Sequence, residues 1–391
     1  MKIERAVIFT PNLGGGAFPN IACALALGLR TQGVGQVFLA HLDGELPPTD
    51  VPPGLEIVRL GTRRTMLSPI AFSRFLRRAR PQVTISMPAT ANVAALVGWW
   101  LSGRIGRLVV SEHATMSYKA WVEHRSDLRI RSLPALARRL YPLASGIVAV
   151  NEEILDDLAS RIGVRLDRRR ATVIPNPVDL EKVRRLAHAS RPHPWMSAGT
   201  TPVGVAVGRL ARQKNYPLLI DAMSRLRRET NLRLVIIGDG PERSALQEQV
   251  DRLGLQSCVE LLGLESNPYP TIASADVLIL PSEEEAFGLV VVEALVCGVP
   301  VVATDCPGPR AILRDGGGIV VPRGDPDALA AAVVEVVRRT RERPALTSAA
   351  GDVTTRYAPE RIAGEWLEFI DSLPGREEPA PRSRSAVGAP R

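Results

Sequence analysis

Short runs of valine, isoleucine and leucine alternate along this chain with longer stretches whose apolar residues recur every three to four positions. In the first half, Ala6–Thr10, Gln36–His41, Glu56–Leu60, Val83–Met87, Leu108–Glu112, Gly146–Val150 and Ala171–Ile174 read as strands. In the second half, Val203–Val207, Arg233–Ile237, Val259–Leu262, Val277–Leu280, Pro300–Thr304 and Gly318–Val321 do the same. Helical patterns fall between them, among them Asn20–Gln32, Ser68–Arg80, Tyr216–Glu229, Pro241–Leu253 and Gly288–Cys297. Strands that are apolar on both faces, each followed by an amphipathic helix, predict parallel sheets covered by helices on both sides.

The pattern occurs twice. Between Pro175-Asn176-Pro177 and Pro202 it lapses, and Ala187 to Thr201 shows no strand period, as expected of a linker. The expected division is a Rossmann-like domain over 1–180, a linker over 181–201 and a second Rossmann-like domain over 202–356. A helix over 357–373, with Trp366, Leu367, Phe369 and Ile370 as its apolar residues, and a disordered tail over 374–391 complete the chain. Two doubly wound domains facing each other gather strand C-termini and helix N-termini around one cleft, the expected ligand site.

Length agrees: 391 residues exceed one ordinary core and suit two. No apolar run reaches the roughly 18 residues of a membrane span. The N-terminus lacks a signal-peptide cleavage pattern, so a cytoplasmic protein is expected. Cys23, Cys258, Cys297 and Cys306 form no CxxC pair and have no zinc-spaced histidines, which fits buried free thiols.

The formal net charge is +8, almost all from arginine, since lysine occurs only at positions 2, 119, 182 and 214. Arginines cluster at Ser73–Arg80 and Arg125–Arg139. Basic helices of this kind suit either a solvated surface or anionic lipid headgroups. Aromatics make up only 4% of the chain and do not interleave the basic runs, which disfavours nucleic acid.

Candidate chemistry concentrates after the predicted strands. Asn12-Leu13-Gly14-Gly15-Gly16-Ala17 opens the first helix, where glycines let a ligand approach the backbone and free N–H groups face an anion. A plain tight turn is the alternative. His113 ends a strand at the cleft; Glu112 points to the opposite side, so the two do not form a dyad. Arg209 and Lys214 sit where a loop enters a helix, an arrangement suited to a diphosphate leaving group. Glu285 precedes a helix and Glu293 lies within it. Eight helical residues span roughly 12 Å, about the distance from a ribose to the sugar beyond its diphosphate. A carboxylate among Val290, Val291, Val292, Ala294 and Leu295 needs a partner: ligand hydroxyls, or a core arginine. Glu283 and Glu284 are expected to be solvated. Asp325-Pro326-Asp327 reads as a helix cap, and no carboxylate cluster suggests a metal.

These second-half segments resemble the retaining glycosyltransferases of family 4, which have the GT-B fold. The resemblance rests on Val207-Gly208-Arg209-Leu210 with Lys214-Asn215, Ile236-Ile237-Gly238-Asp239-Gly240-Pro241, Ala275-Asp276-Val277, Leu280-Pro281-Ser282, Glu285-Ala286-Phe287-Gly288 through Glu293-Ala294, and Val321-Pro322-Arg323-Gly324-Asp325. In the first half, the glycine loop, Ser111-Glu112-His113 and Ile174-Pro175-Asn176-Pro177-Val178-Asp179 match. Asp305-Cys306-Pro307-Gly308-Pro309-Arg310 is similar to a loop of the branch acting on surface polysaccharides and lipid-linked glycans, with one serine missing, and Ala17-Phe18-Pro19 replaces the polar residue usual after the glycine loop.

The resemblance implies that Arg209 and Lys214 hold the donor diphosphate, Glu285 the transferred sugar and Glu293 the ribose. It puts Gly15 or Gly16 near the phosphate or sugar and His113 on the sugar and acceptor side. The matched segments add Gly238, Phe287, Gly288 and Leu289 to the expected donor contacts. It implies no metal ion and no cofactor, the nucleotide-sugar being a substrate. The leading expectation is sugar transfer from a UDP-sugar, in preference to GDP-sugar, to a glycan or polyprenyl-linked acceptor, with peripheral contact to the inner membrane face. A nucleotide-sugar epimerase and a non-catalytic nucleotide-sugar-binding protein stand as alternatives.

Overall fold

The computed structural model describes residues 2–14, 16–42, 54–61, 68–189, 193–196, 201–342 and 355–374. Its strands form two wholly parallel sheets. The first contains β1 (Arg5–Thr10), β2 (Gln36–His41), β3 (Glu56–Arg59), β4 (Val83–Ser86), β5 (Arg107–Glu112), β6 (Gly146–Ala149) and β7 (Ala171–Val173). The second contains β8 (Val203–Val207), β9 (Arg233–Ile237), β10 (Val259–Gly263), β11 (Val277–Leu280), β12 (Val301–Thr304) and β13 (Gly318–Val321). Every predicted strand is present, with ends shifted by at most one residue. The signal was strong because both faces of most strands are buried: β1, β11 and β12 contribute nearly unbroken apolar rows to the cores.

The spatial orders are β3-β2-β1-β4-β5-β6-β7 and β10-β9-β8-β11-β12-β13. Each sheet grows outward in both directions from a central pair, β1/β4 in one and β8/β11 in the other. At such a reversal the connections leave to opposite faces and a crevice opens beyond the strand C-termini. The glycine loop follows β1. Arg209 and Lys214 follow β8, and Glu285 follows β11. Topology therefore brings a basic and an acidic segment, some seventy positions apart, to one point.

Residues 181–201, expected as linker, start as ordered helix. Leu180–Ala187 is capped by the Asp179 carboxylate, which accepts from the Lys182 N–H at 2.9 Å, and it buries Leu180, Val183 and Ala187. The tail beyond 374 lies outside the described residues.

The helix Pro359–Ser372 follows the second sheet in sequence but packs on the first. Ile362, Ala363, Trp366 and Ile370 join the core that contains Ile21, Leu25 and Leu29 of the helix Ala17–Thr31. The contact is close: a Cβ on Gly28 would stand 2.0 Å from the Pro359 carbonyl oxygen. Trp366 is 3% exposed. Trp366→Ala is expected to lower stability by about 3–5 kcal/mol, measured by urea denaturation followed by circular dichroism; a loss under about 1 kcal/mol would show that the crossing helix is not integral to the first core.

Candidate active site

At the end of β8 the chain turns through Gly208 and Arg209 into a short 3-10 turn, Arg212–Lys214. Asn215 follows in the left-handed region (φ 49°) and starts the helix Tyr216–Glu229. The turn needs small residues. A Cβ on Gly238, at the end of the neighbouring β9, would lie 2.0 Å from the Gly208 carbonyl oxygen, so Gly238 lets these strand ends approach. Gly238 thus shapes the floor of the site.

Lys214 and Glu285 converge. The ammonium donates to the Glu285 carboxylate, and the two side chains are only 15% and 13% exposed. The pair is half-buried, so each charge depends on the other to offset lost hydration. Arg209 is exposed and makes no ion pair among the described residues. It stands at the C-terminal edge of β8, free to meet an anion.

The Glu285 loop is held by the segment after β12. Gly308 N–H donates to the Glu285 carbonyl at 3.2 Å, and a Cβ on Gly308 would stand 2.1 Å from the Phe287 carbonyl oxygen. The loop with the missing serine therefore seats its glycine directly on the backbone of the acidic motif. The Phe287 ring is buried edge-on against Tyr357, with centroids 5.3 Å apart. Gly288 takes a left-handed conformation (φ 87°) that launches the helix Leu289–Val296.

Glu293 lies along that helix and accepts a hydrogen bond from the Tyr269 hydroxyl at 3.1 Å. It lines a pocket between the domains with Leu289, Tyr269, Lys182, and Asn20 and Cys23 of the helix Ala17–Thr31. Burial pushes its carboxyl up to about 7, against the opposing influence of the Tyr269 hydrogen bond and the Lys182 charge. The partner expected from sequence as a ligand hydroxyl or a core arginine is here a tyrosine. Sequence reasoning passed over Tyr269, which sits between two prolines at the start of a short helix, Tyr269–Ala273.

On the other side of the cleft, Gly16 (φ 95°) caps the first helix in a conformation that favours glycine. Gly15 lies outside the described residues. His113 follows β5, and its ring meets Phe18 edge-on at 5.4 Å. Burial lowers its pKa to about 4, with Asn176 opposing the shift, so the imidazole is neutral near pH 7. Glu112 points away, as expected. It is buried on the far face, where it accepts from Asn92 Nδ2 at 2.8 Å and from the Tyr141 hydroxyl, and burial raises it to about 7.

Glu284 corrects the expectation of a solvated side chain, whereas Glu283, its side chain 45% exposed, keeps to it. Glu284 accepts from the Thr115 hydroxyl, two residues past His113, and Glu283 from the Tyr118 hydroxyl at 3.4 Å. Asn151 Nδ2 donates to the Ala286 carbonyl at 2.6 Å, and Arg310 pairs with Glu153 at 3.2 Å. Polar groups of the first domain thus clasp the segment that carries Glu285. Asp325 is a cap as predicted, its carboxylate accepting from the N–H groups of Asp327 and Ala328 at 3.0 and 2.9 Å. Among the described residues, no group of three or more His, Cys, Asp or Glu is arranged to hold a metal ion.

Two family models match in tandem. Residues 20–182 match Glycosyltransferase Family 4, and residues 194–352 match Glycosyl transferases group 1. The chain belongs to these glycosyltransferases. It is 31% identical over 175 residues to the lipopolysaccharide core biosynthesis glycosyltransferase LpsE of Rhizobium meliloti, covering 44% of this chain and 51% of that protein. It is 28% identical over 270 residues to an N-acetylgalactosaminyltransferase of Campylobacter jejuni, named for an N-acetylgalactosamine-N,N'-diacetylbacillosaminyl-diphospho-undecaprenol substrate, covering 68% and 70%. The chain spans about half the length of the first curated relatives it matches. Among solved structures, Anabaena HepE in complex with UDP and glucose superposes with a TM-score of 0.74 at 20% identity, covering 94% of this chain and 99% of that one. That likeness shows the GT-B architecture.

A carboxyl raised by burial binds its proton more tightly in the folded than in the unfolded state. Glu293 should therefore favour the fold most at low pH and lose that contribution as pH climbs from about 4.5 to about 7. Glu293→Gln should flatten this part of the melting-temperature profile relative to wild type. Parallel profiles from pH 4.5 to 7 would show that Glu293 ionises as an ordinary surface acid.

Proposed function

We propose that this protein is a retaining, metal-independent glycosyltransferase that moves a sugar from a UDP-sugar to a hydroxyl of a glycan or lipid-linked glycan. The convergence of Lys214 and Glu285 at the β8/β11 crevice, with Arg209 beside it, carries the reading. Charge builds on the diphosphate as the sugar–oxygen bond breaks, and two cations on one strand end answer it. Glu285 faces the sugar; Glu293 faces the ribose, with Gly288 and Leu289 forming the turn between them. Gly16 borders the phosphate or sugar. His113, held neutral by burial, borders the sugar and acceptor. In this reading the departing diphosphate oxygen takes the acceptor's proton.

The acceptor side carries a second feature that supports a lipid-linked substrate at the inner membrane face. Trp100 is 58% exposed, Trp121 49% and Leu128 75%, on adjoining elements of the first domain. They accompany Arg77, Arg78, Arg129, Arg138 and Arg139 of the helices Ser68–Ala79 and Leu128–Leu140. Apolar side chains among arginines suit shallow insertion into an anionic surface. Among the described residues, no helix is long and apolar enough to cross a membrane.

Release of UDP from a panel of UDP-sugars, with lipid-linked glycan acceptors, tests the reaction. Arg209→Ala is expected to lower kcat by about 10²–10³, and excess EDTA to leave the rate unchanged. Unimpaired turnover by the variant refutes the diphosphate assignment, and loss of activity in EDTA refutes metal independence. Sugar conversion without an acceptor would indicate an epimerase. Flotation with phosphatidylglycerol vesicles at low salt should carry the wild type upward but not Trp100→Glu/Trp121→Glu; equal behaviour of the two would remove the membrane face.

A further inference from the structure

The Tyr216 hydroxyl is buried and has no hydrogen-bond partner among the described residues. A buried donor left unpaired costs folding free energy and calls for an explanation. Its position gives one. A Cβ built on Gly208 would lie 3.1 Å from this hydroxyl and 3.4 Å from Lys214 Cε, so the phenol tip sits under the stem of Lys214 at the floor of the site. Burial raises the pKa of the phenol, and Glu285 is near enough that its charge adds to the rise. Tyr216 therefore remains a protonated donor.

The ion pair above it has a difficulty. Without donor, Lys214 and Glu285 satisfy each other. Under the function proposed above, on which this inference rests, each must turn to the ligand: the ammonium to the diphosphate, the carboxylate to the sugar. Once Lys214 leaves, Glu285 is a half-buried carboxylate without its cation, an expensive state.

The geometry points to Tyr216 as a stand-in donor: when the nucleotide-sugar draws Lys214 away, the tyrosine hydroxyl hydrogen-bonds Glu285 and holds the carboxylate, ionised and oriented, against the sugar hydroxyls. Tyr216 is thus a positioning residue that acts through Glu285. The exchange is one hydrogen bond for one ion pair, with no proton changing owner. It explains why the hydroxyl is unpaired in the donor-free protein: its partner becomes available only on binding. It also accounts for Gly208 beside the phenol, where a Cβ would stand 3.1 Å from the hydroxyl and restrict its swing.

The test is calorimetric binding of UDP-glucose, UDP-galactose and UDP-N-acetylglucosamine to the full chain, using wild type, Tyr216→Phe, Glu285→Gln and the double variant. Tyr216→Phe removes only the oxygen and should weaken the best-bound sugar nucleotide about tenfold, as loss of a charge-assisted hydrogen bond does. In the Glu285→Gln background the same change should cost little, because the charged acceptor is gone. The melting temperature of donor-free Tyr216→Phe should stay level or rise, since no hydrogen bond is lost. Unchanged affinity overturns the inference, as does an equal loss in both backgrounds. A fall in donor-free melting temperature overturns it too, by showing a structural partner. If wild type binds none of the three, the donor reading itself fails and this inference falls with it.

Discussion

A lysine and a glutamate, delivered by adjacent strand ends of one parallel sheet, neutralise each other at the mouth of a crevice between two domains. The rest of the architecture serves that meeting. The strand order reverses at β8/β11, which opens the crevice. Gly238 and Gly308 let neighbouring backbone close to distances no side chain would permit, fixing the loops that carry the pair. Thr115, Tyr118 and Asn151 reach across from the first domain to hold the acidic segment. An ion pair in this setting is a stored recognition element. It keeps two opposite charges in place at tolerable cost until a ligand with both an anionic and a hydroxylated end replaces each partner for the other.

The cleft is also electrically quiet where it is not paired. Burial leaves His113 uncharged near neutrality and pushes the Glu293 carboxyl up to about 7. The strong fields belong to Lys214, Glu285 and the exposed Arg209. A diphosphate entering such a site meets the exposed Arg209 beyond β8, and its attraction acts before any close contact forms.

Much of this was legible in the chain. Parallel strands buried on both faces announce themselves as unbroken Val/Ile/Leu runs, and every one was found. The cations after β8 and the acids after β11 were legible as loop-to-helix transitions. Other features depend on tertiary neighbours and leave no periodic trace. The spacing of Glu283 and Glu284 says nothing of Thr115 and Tyr118, which lie far away in sequence and across the cleft. The basic run Arg125–Arg139, read as a helix, does not say which of its apolar residues remain uncovered. The proline-rich join hid a short helix because its eight residues are too few to show a period. Tyr216 reads as an ordinary core aromatic beside Pro217; only coordinates show its hydroxyl without a partner.

The helix that returns to the first domain has a consequence for how the polypeptide is made. Ile362, Trp366 and Ile370 fill the last layer of a core whose other members are mostly supplied before residue 175. During synthesis, the leading lobe must wait through the whole of the trailing one before that layer arrives. Until then it offers nascent-chain chaperones an uncovered apolar seat, and a ribosome that stalls anywhere in the second half leaves it unsealed.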